Sequence, residues 1–471
     1  MKEILNGPLS AWIIAFLTTI ISVLAIPLWK ELKKLEKKAK TNHLRNIQEK
    51  YVKELSSIDF IKWRNHQLKK IYDEKYFTTV FGHEYPVFYI PFAEHYSYSN
   101  FNKVYDKNDI TTEGLVFKNG EVYMRPVKDI EIYKEGSLCD IIRKRILRWK
   151  YSKVLKGGIK YELIGFSLDH YDFDKQNRIT HIYPKLGTYP YNIYSSHILE
   201  YELYRAYLKT KNNPDISLDS LWKYLPFRRY IHYGTGDVDQ TEEILKTGKR
   251  RYSLFSVQCI VVFKDVNNNG DYSVLLMKRS SDLQKISAKL GYYQFYPAGG
   301  FEMYEKETIR SLDMIKENYS LRKAIFREYL EEVFNCTEFK SVDPESNKET
   351  TISILNHDEI VYITDMIEKG TATMNLLGVA VDLISLRHEI SFVLKIDDEN
   401  YSRKDFNPNE EFTRNNSVAS KVRIPLKEVE SLISNSVPPE EIPRINQPSA
   451  MLFKLFLDSE FNPYNGKTKK D

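Results

Sequence analysis

Three glutamates, Glu328, Glu331 and Glu332, stand three and four residues apart within LRKAIFREYLEEVF (Leu321–Phe334). Residues at that spacing share one face of an α-helix. Three carboxylates on one face repel each other unless a cation sits among them. Such oxygen donors suit a hard divalent ion, Mg2+ or Mn2+, which bridges carboxylates to substrate phosphates. The helix taken alone also allows a solvated acidic face, because glutamate is a good helix former. A second group, Asp169, His170, Asp172 and Asp174, has metal-ligand residue types but runs into the polar turn Lys175-Gln176-Asn177. It reads better as a solvated strand end. Cys139, Cys259 and Cys336 are far apart and form no Cys-x-x-Cys pair. Neither a zinc site nor a disulfide framework is expected of them, and the count fits a reducing compartment.

The elements that must position the glutamates follow from periodicity. Leu321, Ile325, Tyr329 and Val333 make one apolar stripe on the predicted helix. Upstream, Leu254–Asp265 and Tyr272–Ser280 read as strands joined by the turn Asn267–Asp271. A third strand is expected over Tyr292–Glu302, with Pro297-Ala298-Gly299-Gly300 breaking regular structure near its end. Val422–Val429 should lead into closing helices, the last over Pro448–Phe456.

From Phe77 to Leu245 short apolar and aromatic runs alternate with turn signals, an α+β pattern without a nameable motif. Asn119-Gly120 marks a hairpin turn, and Ser195–Leu208 an amphipathic helix with a serine cap. The chain holds 34 tyrosines, which are expected to fill cores and strand faces rather than stack on bases. The polar, then basic stretch Asp237–Arg251 reads as a linker. Net charge is +5, a mild excess that suits anionic small molecules or a membrane surface, and direct nucleic-acid binding is not expected.

Leu9–Trp29 contains no charged residue and is long enough to cross a bilayer. Trp12 and Trp29 sit near its ends, where indoles favour the interface. Lys30, Lys33, Lys34, Lys37, Lys38 and Lys40 follow it, which places the soluble region in the cytoplasm behind a single-pass membrane helix. Lys30 to Tyr76 lacks glycine and proline and reads as helix: a stalk, a short coiled coil, or a helix packed on the next domain. The expected organisation is an anchor over 1–30, a helical stalk over 31–76, an α+β domain over 77–245 and a site-bearing domain over 246–465.

Gly300, Glu305 and Arg327-Glu328-Tyr329-Leu330-Glu331-Glu332 together resemble the box of the Nudix hydrolases, G-x5-E-x7-R-E-U-x-E-E-x-G-U. The resemblance covers about Arg251 to Asn462. It implies an α/β/α sandwich with a mixed sheet, so the whole chain would be α+β. It also implies metal binding by Glu328, Glu331, Glu332 and the Gly300 carbonyl. Arg327 would hold the glutamates by ion pairing, and Glu328 could also serve as a base. Weaker candidates are Glu305, with Glu307 as its rival, and a later glutamate, Glu410 or Glu411. The implied reaction is hydrolysis of a pyrophosphate linkage in a nucleoside-diphosphate-like substrate. The chain departs from the box in three ways, the first being that the spacing from Gly300 to Glu305 is one residue short, which makes Glu307 its rival. Twenty-one residues separate Glu305 from Arg327 where the family has seven, so an insertion falls near Glu307–Ser320. Phe334 stands where the helix-ending glycine is expected, leaving Asn335 to end the helix in left-handed geometry. A Nudix-like domain behind a membrane anchor is similar in architecture to the Nudix-type domains that accompany bacterial nucleotide second-messenger systems in antiviral defence. The alternative to an enzyme is a catalytically weak sensor that binds a nucleotide and relays it to the membrane. A third reading makes 77–245 a protein-binding scaffold. Homo-oligomerisation stays open.

Overall fold

SVQCIVVFK (Ser256–Lys264) is buried along almost its whole length, so it needs cover on both faces. The computed structural model supplies that cover. It describes residues 54–55, 57–111, 115–118, 121–124, 164–188, 192–278, 292–302, 312–336, 354–404, 406, 423–438 and 441–465. The expected anchor and most of the stalk lie outside these residues. Among the described residues no helix is long and apolar enough to cross a membrane. Met1–Leu55 and Ser56–Asp471 are separate units, and the strands and helices named below belong to the second.

The strands are β1 (Thr78–Val80), β2 (His83–Tyr85), β3 (Val87–Ile90), β4 (Leu115–Lys118), β5 (Glu121–Met124), β6 (Ile164–Phe173), β7 (Ile179–Thr188), β8 (Ser256–Lys264), β9 (Tyr272–Lys278), β10 (Tyr293–Phe295), β11 (Ala298–Gly300), β12 (Ala372–Asp382), β13 (Arg387–Ile396) and β14 (Arg423–Pro425). The helices are α1 (Ile58–Tyr72), α2 (Ile198–Thr210), α3 (Leu218–Trp222), α4 (Pro226–Tyr233), α5 (Thr241–Lys246), α6 (Leu312–Asn318), α7 (Leu321–Val333), α8 (Asp358–Glu368), α9 (Val429–Ser434) and α10 (Gln447–Asp458). The main sheet runs β10-β9-β8-β13-β12-β3, with β11 on β8 and β14 on β9. β8 and β13 are parallel, and the other pairs are antiparallel. The fold is therefore α+β with a mixed sheet.

Alternation along β8 sorts the core. Val257, Cys259, Val261 and Phe263 face one apolar cluster with Ile325, Tyr329 and Val333 of α7. Ile260 and Val262 face the other, with Met451, Leu452 and Phe456 of α10. One helix thus packs on each face of the strand. β3, from the region 77–245, pairs with β12 and completes the sheet. α1 packs on α2 through aromatic edges, Phe60 on Tyr204 and Tyr207, and Trp63 on Tyr207. Of the readings open for Lys30–Tyr76, its described part is a helix docked on its neighbour. Tyr72, Tyr85, Tyr296, Tyr329 and Tyr401 are among the largest fully buried side chains, which is the packing role expected of tyrosine.

Lys118 pairs with Glu121, the register that a two-residue turn at Asn119-Gly120 requires. Two expectations need correction. Tyr292–Glu302 is not one strand. It divides at Pro297, which has no N–H to give a ladder, so β10 pairs with β9 and β11 with β8. Ser195 does not cap a helix. Its hydroxyl donates to the Tyr252 carbonyl and accepts from the Tyr252 N–H, both at 2.8 Å. A π-turn over Ile193–His197 leads into α2 instead.

Candidate functional site

The stripe Leu321, Ile325, Tyr329 and Val333 is buried and fixes the rotation of α7. Ser320 caps the helix by accepting from the Lys323 N–H at 3.3 Å. At the other end Asn335 takes a left-handed φ of 53°, and the Cys336 N–H closes on the Leu330 carbonyl at 3.0 Å. With that rotation Glu328 and Glu332 turn toward β11. The Glu332 carboxylate accepts from the Ala298 N–H at 2.7 Å. Glu328 lies on Gly299: a Cβ there would sit 2.1 Å from its Oε2, so any side chain at 299 would displace the carboxylate. Arg327 donates through Nη2 to the Gly300 carbonyl at 2.6 Å and to Glu328 at 2.5 Å. Its Nη1 reaches Glu331 at 3.4 Å. Arg327, Glu328 and Glu332 are buried.

Glu302 joins them from the far side of the glycine strand. A Cβ on Gly300 would meet its Oε1 at 3.1 Å. Burial pushes the Glu302 carboxyl above the usual carboxylate range, against the pull of Arg327 and Arg387. Burial also raises Glu328; Arg327 opposes this and Glu302 adds to it. Two carboxyls that are costly to ionise therefore flank the Gly299-Gly300 pair. Arg387 completes the surroundings by donating to the Ser256 hydroxyl, and Ser256 is the ladder partner of Gly300.

No family model matches the chain. No curated protein matches it either. The chemistry of the site thus rests on its own geometry. Its donors are all oxygen, and two of them repel each other, a combination that suits a hard divalent ion. Among the described residues no three Asp, Glu, His or Cys side chains form a ready ligand group. The three helix glutamates are instead held by two partners: Glu328 and Glu331 by Arg327, Glu332 by the Ala298 N–H. A cation held by Glu328, with Glu302 and Glu332 beside it, requires Arg327 to yield the Gly300 carbonyl or share it.

Glu305, Glu307, Glu410 and Glu411 lie outside the described residues. α6 occupies the described part of the expected insertion. The Asp169 group is satisfied locally. Asp169 meets His170 at 3.1 Å, Asp172 accepts from Tyr183 at 2.9 Å, and Asp174 pairs with Arg178 at 2.7 Å. Cys139 lies outside the described residues, and Cys259 and Cys336 are not joined in a disulfide. Sequence reasoning passed over Glu302, Ser256 and Arg387. Glu302 was within reach, as an acid two residues beyond a glycine pair. Ser256 and Arg387 join the site only through sheet register, for which the sequence carries no signal.

Proposed function

We propose that this chain is a Nudix-type, metal-dependent hydrolase that cleaves a pyrophosphate linkage in a nucleoside-diphosphate-like substrate. The observation that carries the reading is the seating of α7 on β11: Glu328 against Gly299, Glu332 on the Ala298 N–H, and Arg327 across the Gly300 carbonyl. A bound Mg2+ or Mn2+ would neutralise phosphate charge and lower the pKa of a ligated water. Glu328, Glu331 and Glu332 would hold it. Arg327 would orient Glu328 and Glu331, and the buried Glu328 carboxyl, with its raised affinity for a proton, suits a base that takes one from water. The Leu9–Trp29 run supports a single-pass anchor with this site on the cytoplasmic side, and the architecture supports a place in bacterial nucleotide signalling or antiviral defence.

The test is a panel of nucleoside diphosphate derivatives incubated with the full chain in detergent and Mg2+, with products read by mass spectrometry. Turnover that disappears in Glu331→Gln/Glu332→Gln is the expected result, and product formation indifferent to that pair would overturn the assignment. One observation favours a sensor instead: every helix glutamate already has an internal partner. Tight nucleotide binding without product would select that reading.

A further inference from the structure

The two guanidiniums at the glycine pair are used differently. Arg327 is buried and directs its donors inward, to Glu328, Glu331 and the Gly300 carbonyl. Arg387 is partly exposed. Among the described residues its side chain makes one hydrogen bond, from Nη2 to the Ser256 hydroxyl, and no ion pair. Its Nε is buried without a partner. Its Nη1 is equally unpartnered among the described residues but is not one of the buried atoms, so it reaches solvent.

Sheet register places this free donor. Val257 and Phe301 face α7, so Ser256, Gly300 and Glu302 face the other way. Ser256 pairs with Gly300 on one side and with Glu389 on the other. Arg387, two residues before Glu389, shares that face, in keeping with its bond to Ser256. Ser256 stands one strand spacing, about 5 Å, from Gly300, and the guanidinium is held on Ser256. Glu302 is partly exposed on the same face. Its carboxyl feels the Arg387 charge, yet the two form no ion pair. Opposite charges kept apart at a solvent-reachable edge leave room between them, which a closed salt bridge would not.

The charge balance says what enters. A diphosphate presents two adjacent anionic groups. A cation held by Glu328 meets the first. The carboxylates repel the second, and Arg327 is already engaged. Among the described residues of the site, Arg387 is the cation with a donor to offer. A guanidinium keeps its charge at any working pH, and its planar fork matches phosphate oxygens. We infer that Arg387 is a substrate-binding residue that holds the second phosphate and sets a preference for a diphosphate over a single phosphate. The inference rests on the proposed hydrolase reading for its cation and its substrate class.

The test uses imidodiphosphate, a diphosphate analogue whose P–N–P bridge resists hydrolysis, and inorganic phosphate. Each is titrated calorimetrically into the full chain in detergent with Mg2+. Arg387→Met should weaken imidodiphosphate about 30-fold, the loss of one charge-assisted hydrogen bond, and inorganic phosphate by no more than about threefold. Arg387→Lys keeps the charge and loses the fork. It should weaken imidodiphosphate about tenfold, and it decides alone should Arg387→Met fail to fold. Unchanged imidodiphosphate affinity in the variants, or no binding to the wild type, would overturn the assignment. Equal losses for the two ligands would overturn it too, because they would make Arg387 a structural prop for Ser256. Arg387-dependent imidodiphosphate binding without turnover of any nucleoside diphosphate derivative supports the phosphate role and removes the hydrolase reading. Turnover whose KM is indifferent to Arg387→Met and Arg387→Lys does the reverse.

Discussion

Substituting Gly299 by alanine tests the contact on which the site is built. The new Cβ would lie 2.1 Å from Glu328 Oε2 and Cδ, and 2.3 Å from Oε1. Ordinary van der Waals contact begins near 3.4 Å, so the carboxylate must retreat by about 1.3 Å. It cannot do so alone, because Arg327 holds it at 2.5 Å and holds the Gly300 carbonyl at 2.6 Å. Either the Arg327–Glu328 hydrogen bond breaks, or the guanidinium leaves the carbonyl. One charge-assisted hydrogen bond in a buried setting is worth about 2 kcal/mol, and that is the expected loss of stability. Displacing a metal-binding carboxylate by an ångström should also lower turnover by about 100-fold. Gly300→Ala is the control. Its nearest neighbour, Glu302 Oε1 at 3.1 Å, needs to move only slightly, and the loss should stay below about 1 kcal/mol. Denaturant midpoints measured on both variants separate the two cases. A Gly299→Ala protein that unfolds at the wild-type midpoint would refute the seating of Glu328 on the strand.

Four further outcomes are expected. Burial lifts the Glu202 carboxyl to about 8, against opposing contributions from Arg228 and the Phe227 and Arg228 N–H groups. The folded chain then keeps a proton that the unfolded chain gives up above the ordinary carboxylate range. Stability should fall as pH rises toward 8, and Glu202→Gln should flatten that slope in pH-dependent denaturation. Ser320→Ala removes the α7 cap and should cost about 1 kcal/mol in chemical denaturation, weakening the helix that carries the glutamates. Arg228→Met orphans the Leu383 and Ile384 carbonyls and leaves the Tyr72 hydroxyl with His232 alone, and should lower stability by about 3 kcal/mol in the same assay. Expression of 246–465 alone removes β3 and with it the cover of the β12 edge. That fragment should aggregate or lack a cooperative thermal transition.

What the sequence disclosed was local. The strand character of β8 and β9, the stripe on α7, the left-handed Asn335 and the final helix all follow from residues within one element, where periodicity and turn chemistry act directly. Ser195 escapes such reasoning because its partner, Tyr252, lies 57 positions away, and a hydroxyl is satisfied equally well by a distant backbone as by its own helix. Glu328, Glu331 and Glu332 share a face, as their spacing requires. Their partners depend on the neighbouring strand, which offers the Ala298 N–H to Glu332 and close passage over Gly299 to Glu328. Register decided both, and register is set by the packing of whole elements. Arg387 illustrates the same limit: nothing around it in sequence points to Gly300, yet the order β11-β8-β13 puts them on opposite sides of Ser256.

The site also depends on residues remote from its chemistry. Arg228 donates to the Leu383 and Ile384 carbonyls at 2.9 and 2.6 Å. Arg251 and Ser253 donate to the Leu386 carbonyl at 3.3 and 3.0 Å. All these acceptors lie in the turn between β12 and β13. Arg251 also meets His388 at 3.2 Å, and the other ring nitrogen of that histidine meets the Tyr171 hydroxyl at 3.0 Å. Two buried guanidiniums thus grip the turn immediately before Arg387 and Glu389. Guanidinium charge is expensive to bury, so the grip is a costly way to hold a turn unless the position of the next strand matters. It matters here because β13 begins with Arg387, which reaches Ser256, and with Glu389, which pairs with Ser256 in register. A shift of one residue at that turn would reverse the faces of Arg387 and Glu389. Arg228 of α4, with Arg251 and Ser253 between α5 and β8, thus holds the turn whose register sets Arg387 against Ser256.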